Sequence, residues 1–316
     1  MEFAGTPIWA WGGFFTIIIA LLALDLGVLN KRDHEIGVRE SLMLSAFYVS
    51  IACLFGIGVW FWFGAEKGLE FFTGYAIEES LSLDNVFIIS LIFTTFAIPR
   101  KYQHRVLFWG IIGVIVMRGT MISLGAVLIA HFEWVLYLFG AFLIITGLKM
   151  LCTKDHDTSI KCHPMVLWLQ RHIRMTPDLH GHAFFVHLPD AATGRKVLYA
   201  TPLLLTLVVV ECADLVFAVD SVPAVFAVTT DPFIVYTSNI FAILGLRALY
   251  FALAAVIHRF AYLKYALAAV LIFIGGKIFY ADFVDKVPAL VSLSVTFGLL
   301  ASGVIVSLLK TRGKPV

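Results

Sequence analysis

Charged residues are scarce in this chain. Only 14% of its 316 residues are Asp, Glu, Lys or Arg, whereas 60% are hydrophobic. In a soluble domain, about a quarter of all residues are normally charged. The composition therefore excludes an ordinary soluble domain, and the long apolar runs predict an all-α polytopic membrane protein.

Cysteines and catalytic motifs are also few. The four cysteines form no CxxC pair and show no framework spacing, so neither a zinc ribbon nor a disulfide scaffold is predicted. The chain has no nucleotide motif, no nucleophile-base-orienter set and no basic stripe with interleaved aromatic residues. We therefore expect that the protein is not an enzyme, holds no prosthetic group and does not bind nucleic acid. No positive residue precedes the first apolar run, so we expect that run to be retained as a span.

Nine apolar runs are long enough to approach the roughly 30 Å thickness of a bilayer core. They lie at residues 8–29, 41–63, 76–98, 106–130, 134–151, 200–228, 232–255, 264–281 and 288–309. Lys and Arg are concentrated in alternate connections, whereas the opposite connections contain only Lys67 and Lys286. By the positive-inside rule, this asymmetry places the N-terminus outside and the C-terminus in the cytoplasm.

The spans divide into five predicted units. These are two spans at 1–75, a three-helix unit at 76–151, a cytoplasmic loop at 152–199, a second three-helix unit at 200–281, and the last span with its tail at 282–316. The loop predicts a short amphipathic helix near 165–174 and a hairpin of 184–187 with 196–199. It contains six of the ten histidines without a recognised ligand spacing, which favours a solvated loop over a metal or pH sensor.

The two three-helix units match each other in sequence. The segment 83–87, with Asp84 and Asn85, matches 219–223, and a second acid, Glu78 or Asp214, stands six residues before each central Asp. Downstream, Arg118 matches Arg247, and residues 142–149 match 270–277. Because each unit has an odd number of helices, the second copy is predicted to be inverted relative to the first. Inverted repeats place a substrate site at their interface near the midplane.

Acids within the spans are the candidate ligands, because an Asp at mid-bilayer costs about 2.5–3.5 kcal/mol and normally faces an internal cavity. The predicted metal ligands are Glu78, Asp84, Asn85, Glu211, Asp214 and Asp220, with Asp25 and Ser221 as further ligands or a proton relay. A six-residue separation turns two side chains about 120° apart on a straight helix. They converge only if the helix unwinds or if ligands come from several helices, and Pro223 predicts a kink or break just past Asp220.

The chemistry of these ligands indicates a hard divalent cation. No histidine lies deep in a predicted span, and an oxygen-dominated set suits Mn²⁺, Ca²⁺ or Mg²⁺ rather than copper or structural zinc. The same carboxylates can hold protons when the cation leaves, which predicts proton-coupled exchange. Arg118 and Arg247 either neutralise the empty carboxylates in a gating role or form permanent structural ion pairs, and the sequence leaves both readings open.

Three long motifs connect the chain with a known family: residues 77–87, 210–223 and 226–247. In these motifs the chain resembles the TerC family of bacterial integral membrane proteins, and within it the Alx-like members. The resemblance covers almost the whole chain. It implies an inner-membrane manganese transporter, thought to export Mn²⁺ and linked to alkaline-pH and tellurite-resistance phenotypes. It also implies that the six predicted ligands form the ion path, whereas Glu79 falls at a variable position and is expected at the surface or rim.

Three functions remain open at this point. The first is a proton-coupled Mn²⁺ exporter that works by alternating access. The second is a Ca²⁺ or Mg²⁺ exchanger on the same scaffold. The third is a membrane platform that recruits stress-response partners through residues 152–199. The sequence does not predict an oligomeric state.

Overall fold

The structure, a computed structural model, describes residues 2–3, 5–25, 36–132, 134–152, 173–189, 196–254, 263–283 and 287–311. Helices make up most of this part: α1 Ile8–Leu24, α2 Val38–Phe63, α3 Ala65–Thr95, α4 Arg100–His131, α5 Trp134–Cys152, α6 Pro202–Phe226, α7 Pro232–Ala254, α8 Leu263–Phe283 and α9 Ala289–Thr311. Two antiparallel pairs complete it: β1 Glu2–Phe3 with β2 Thr6–Pro7, and β3 Phe185–Pro189 with β4 Lys196–Ala200. The predicted fold class, an all-α polytopic membrane protein, is confirmed.

Six of these helices are long and apolar enough to cross a membrane by length and composition alone: α2, α4, α5, α6, α7 and α9. Apolar stretches in α1 and α8 are shorter, at Ile8–Leu24 and Tyr265–Ala281. The described helices match the nine predicted runs in order and position, but the count of nine spans stays a prediction. The helix that contains the third run begins earlier than the run itself, because α3 starts at Ala65, directly after Gly64. The φ angle of Gly64 is +97°, a backbone conformation that glycine adopts without strain.

Proline sets several helix starts. Pro99 precedes α4, and Pro202 and Pro232 are the first residues of α6 and α7. Proline fits the first helical turn because the N–H it lacks would have no partner inside the helix. At α7 the carboxylate of Asp231 accepts the N–H of Phe233 at 3.0 Å and caps the helix.

Of the kink or break predicted just past Asp220, the break is wrong, and the kink stays a prediction. Helix α6 continues through Pro223 and ends at Phe226. Pro223 cannot donate to the carbonyl of Val219, so one hydrogen bond is missing from the turn that contains Asp220, but the helix continues on both sides of this turn. The carbonyl of Pro223 accepts the N–H of Ala227, which closes the helix end.

Helix α7 lies at the centre of the protein. Of its most apolar window, 89% is buried inside the protein, so its polar side chains face other helices rather than lipid. It packs against α2, α3 and α4, while α6 packs against α3 and α4. The helices with the predicted acids and arginines are therefore neighbours.

Helices α5 and α8 form a close pair beside this centre. A Cβ built on Gly275 would lie 2.6 Å from the carbonyl oxygen of Gly140, and one on Gly147 would lie 2.8 Å from that of Ala268. Gly147 and Gly275 are matched positions in the predicted repeat, so the two contacts correspond. The inverted repeat itself stays a prediction, which this correspondence supports.

Within the loop predicted at residues 152–199, the predicted hairpin is confirmed, whereas the cytoplasmic location stays a prediction. The hairpin is present, with Val186 opposite Tyr199 and His187 opposite Leu198. The amphipathic helix predicted near 165–174 falls largely outside the described residues.

Candidate functional site

Glu78 and Arg118 form the first buried ion pair of the helix core. Nη2 of Arg118 lies 3.1 Å from Oε1 of Glu78, and the two side chains are 3% and 0% exposed. Nη1 of Arg118 donates to the hydroxyl of Ser221 at 2.6 Å, and the hydroxyl of Ser82 donates to Oε1 of Glu78 at 3.4 Å. Arg118 of α4 therefore joins α3 of the first predicted unit to α6 of the second.

Asp214 and Arg247 form the second pair. Nη2 of Arg247 donates to Oδ2 of Asp214 at 2.9 Å, and Nη1 donates to the backbone carbonyl of Leu107. Both side chains are largely buried, at 6% and 10% exposed. Arg118 also lies close enough to Asp214 and Arg247 to interact electrostatically with both. The two pairs are thus parts of one charged network.

The two ion pairs are formed by residues at matching positions of the two predicted units. Glu78 corresponds to Asp214, and Arg118 corresponds to Arg247, so the acid of the first helix and the arginine of the second helix meet in both units. The polar matches on which the repeat was predicted thus form equivalent contacts.

Glu211 lies beside the second pair. Both of its carboxylate oxygens are buried and have no hydrogen-bond partner in the described part of the chain. A Cβ on Gly113 of α4 would lie 2.6 Å from the carboxylate carbon and from both oxygens, so the absence of a side chain there makes room for Glu211. Glu211 stands three residues before Asp214, which places the two acids on one face of α6.

The remaining predicted ligands lie on the same two helices. Asn85 is buried on α3, seven residues after Glu78 and hence on the same face. Asp84 and Asp220 belong to α3 and α6, but their side chains lie outside the described part of the structure. Both helices are continuous through the predicted ligands. Of the two routes that the sequence left open, unwinding is therefore not observed, and ligands would have to come from several helices.

Asp25 is not part of either ion pair. It follows α1, where Oδ2 lies 3.3 Å from Nε2 of His104 in α4. Asp25 and His104 line a small cavity that is also lined by Tyr48 and Arg247. Asp25 and Arg247 of the second ion pair thus border the same cavity. Among the side chains that the structure describes, no three His, Cys, Asp or Glu converge in a metal-binding arrangement.

A more exposed cluster joins the start of α3 to the turn between α6 and α7. Nζ of Lys67 lies 3.2 Å from Glu70 and 3.1 Å from Asp231, and Thr229 donates to Glu70 at 2.7 Å. Lys67 lies outside the predicted span 76–98. Partial burial lowers the pKa of Lys67, but the carboxylates of Asp231 and Glu70 outweigh burial and leave this pKa above its ordinary value.

The TerC family model, described as the integral membrane protein TerC family, matches residues 63–314, which include both ion pairs. The chain belongs to the TerC family. No solved structure matches it.

Relatives of this TerC-family protein extend over nearly its whole length. An uncharacterized membrane protein of Myxococcus xanthus is 50% identical over 96% of this chain and 93% of its own. One from Rickettsia bellii is 48% identical over 95% of this chain and 97% of its own. In Escherichia coli K12, a proposed membrane-bound redox modulator named Alx is 45% identical over 97% of this chain and 96% of its own.

Sequence reasoning missed two polar groups of this TerC-family core. Glu79, expected at the surface or rim, is only half-buried as a whole residue, but its Oε2 atom is buried without a hydrogen-bond partner among the described residues. The hydroxyl of Tyr75, also buried and unpartnered, lies near it, and both face the backbone at Gly245 of α7. The four-residue spacing of Tyr75 and Glu79 on one helix face was the available signal.

Proposed function

We propose that this TerC-family protein transports a divalent metal cation across the bacterial inner membrane. In this proposal Mn²⁺ is exported by alternating access in exchange for protons, with the N-terminus outside and the C-terminus in the cytoplasm. The observation that carries the proposal is an excess of acids over arginines in the buried core.

The two arginines are already engaged. Arg118 binds Glu78, and Arg247 binds Asp214, whereas Glu211 has two buried oxygens with no described hydrogen-bond partner. Asp84 and Asp220 add two further acids to the same helices. Glu211 shares the charge of Arg247 with Asp214, and a buried carboxylate without a hydrogen-bond partner is costly unless a cation or a proton neutralises it. The core therefore suits a divalent cation in one state and protons in another.

The arginines give this exchange a mechanism. A cation that approaches Glu211 and Asp214 competes with the guanidinium of Arg247 for the Asp214 carboxylate. Arg247 has an alternative acceptor in the carbonyl of Leu107, so it keeps one partner when Asp214 is released. This supports the gating role over a permanent structural ion pair for the second arginine.

Manganese is the preferred substrate because of the family resemblance, and the oxygen ligands themselves suit Ca²⁺ and Mg²⁺ equally well. Redox modulation is what the Escherichia coli relative's description names for that protein. In this chain Cys53 and Cys212 are both free thiols. The described residues form a buried arrangement of acids and arginines that suits cation transport, which is why we propose transport here.

The test is ion flux in proteoliposomes that contain the purified protein. We expect saturable Mn²⁺ flux, driven by a proton gradient, that exceeds Ca²⁺ and Mg²⁺ flux in competition. Asp84→Asn and Asp220→Asn should each abolish flux in folded, inserted protein, whereas Asp178→Asn in the exposed loop should leave it unchanged.

Wild-type flux in both core variants would contradict the proposal. Preferential Ca²⁺ or Mg²⁺ flux would favour the exchanger on the same scaffold. If well-folded protein moves none of the three cations, and removal of residues 152–199 abolishes its cellular function, the membrane platform is the better reading.

A further inference from the structure

Asp25 and His104 form a polar pair at the edge of the helix core. Oδ2 of Asp25 and Nε2 of His104 are 3.3 Å apart, and their side chains are 9% and 20% exposed. They come from different helices, because Asp25 directly follows α1 and His104 lies in the second turn of α4. On the predicted orientation, this end of both helices is the cytoplasmic one.

The cavity connects this pair to the charged network. Its volume is about 30 Å³, and its polar lining is formed by Asp25, Tyr48, His104 and Arg247. The other eight lining residues are apolar, so polar contacts come only from these four side chains. One water molecule needs about 10–15 Å³, so the cavity has room for two water-sized ligands beside them. Because Arg247 also binds Asp214, one cavity borders both the Asp25–His104 pair and the second ion pair.

The donor atoms fit two neighbouring ligands of a metal ion. For ligands about 2.2 Å from an octahedral cation, two donors at right angles are about 3.1 Å apart. The observed separation of 3.3 Å therefore requires little rearrangement. The cavity supplies space for waters, which complete the coordination of such cations in many sites.

We propose that Asp25 and His104 form an acceptor site for a divalent transition-metal cation, upstream of Asp214. The mixed ligand pair sets the class of ion. Carboxylate oxygen suits Mn²⁺, Ca²⁺ and Mg²⁺ alike, whereas imidazole nitrogen binds first-row transition metals, of which Mn²⁺ is the weakest binder, more readily than Ca²⁺ or Mg²⁺. The site therefore favours Mn²⁺ over Ca²⁺ and Mg²⁺, a discrimination that the oxygen ligands of the core do not provide. Its place in an ion path rests on the proposed transport function, but its existence does not.

Binding is measured directly on the detergent-purified full chain. Mn²⁺ is titrated by electron paramagnetic resonance, and coupling to nitrogen is recorded by electron spin echo envelope modulation on protein labelled with ¹⁵N-histidine. We expect a bound Mn²⁺ with ¹⁵N coupling that excess Ca²⁺ displaces poorly. In His104→Gln, the affinity of this site for Mn²⁺ should fall at least tenfold and its ¹⁵N coupling should disappear.

His104→Arg separates a ligand from a structural partner. Arginine can keep an ion pair with Asp25 but cannot bind a metal ion, so a purely structural role predicts wild-type Mn²⁺ binding in this variant. The proposal predicts the same loss as in His104→Gln. His131→Gln, which changes an exposed histidine near the opposite end of α4, is the matched control and should retain the signal.

Unchanged affinity and ¹⁵N coupling in folded His104→Arg would overturn the site, even if Mn²⁺ flux were intact. Conversely, His104-dependent binding without flux in wild-type protein would retain the site and overturn transport. The two proposals therefore fail in distinguishable ways.

Discussion

The two buried ion pairs are built from matched residues, yet their surroundings differ. The carboxylate of Glu78 is fully enclosed, and its arginine also binds Ser221 on the other predicted unit. Both pairs have an acid beside them with a buried, unpartnered oxygen among the described residues, Glu79 at the first and Glu211 at the second. The difference is that Arg247 lines a cavity, which Arg118 does not. The first pair is thus sealed and joins the two units, whereas the second pair borders space that an ion or water can occupy.

This difference suggests separate tasks for two equivalent pairs. A sealed pair holds helices together, because separating its charges exposes each to an apolar interior. A pair beside a cavity can exchange partners at lower cost, because an ion or water molecule has room to approach it. We expect substitutions at the first pair to affect mainly stability and those at the second to affect mainly ion binding.

The largest expected effect is the loss of the sealed arginine. Arg118→Gln leaves the fully buried Glu78 without its cation, and removing one partner of a buried pair costs about 3–5 kcal/mol. Arg247→Gln should cost less, because Arg247 lines a cavity from which water can enter the space that the guanidinium leaves beside Asp214. The measurement is the free energy of unfolding of each variant in detergent by denaturant titration.

The matched control for Arg118→Gln is the double variant with Glu78→Gln. With both charges removed, most of the lost stability should return, because Glu78 no longer carries a buried charge without its arginine. Equal destabilisation in the Arg118 and Arg247 variants, or no recovery in the double variant, would contradict the distinction between a sealed and an accessible pair.

A smaller effect is expected where α4 makes room for Glu211. Gly113→Ala places a Cβ 2.6 Å from that carboxylate, and overpacking of this kind typically costs about 1–3 kcal/mol. It should also weaken Mn²⁺ binding by displacing the acid. Gly119→Ala is a milder change on the same helix, because a Cβ at this position would lie 3.3 Å from its nearest neighbour, the ring of Tyr236.

The shorter acid supplies the rescue. In the double variant with Glu211→Asp, the carboxylate is drawn back towards α6, so stability and Mn²⁺ affinity should both recover relative to Gly113→Ala. Failure to recover, with Gly119→Ala as harmful as Gly113→Ala, would show that α4 simply tolerates no larger residue.

Much of this arrangement could be predicted from the sequence because charge in a membrane span is rare. Glu78, Asp214, Arg118 and Arg247 were identified individually from that scarcity and from their matching offsets. Which acid binds which arginine depends on how helices pack, and hydropathy contains no such information. The Asp25–His104 contact was missed for the same reason, since 79 positions separate the two residues in the sequence.

Pro223 shows a limit of local rules. The proline ring removes one hydrogen bond of the helix backbone, which is why a break was predicted. Predicting where the helix ends also required its exact boundary, which apolar composition defines only within a few residues. Because α6 ends at Phe226, the proline is accommodated in its last turn.

The smallest expected effect tests the same chemistry near the protein surface. Lys67→Met removes the ion pairs with Glu70 and Asp231, but Lys67 is 35% exposed, and pairs this exposed usually contribute about 0–1 kcal/mol. The pKa of Lys67 in the folded protein is raised above the ordinary 10.5. The ion pairs therefore contribute their full stabilisation below pH 10.5, and this stabilisation is lost as the pH rises through the pKa of Lys67 in the folded protein. Unfolding of wild-type and Lys67→Met protein should therefore differ by less than about 1 kcal/mol at neutral pH, and less still above 10.5. A loss as large as that in Arg118→Gln would mean that burial does not account for the difference between the ion pairs.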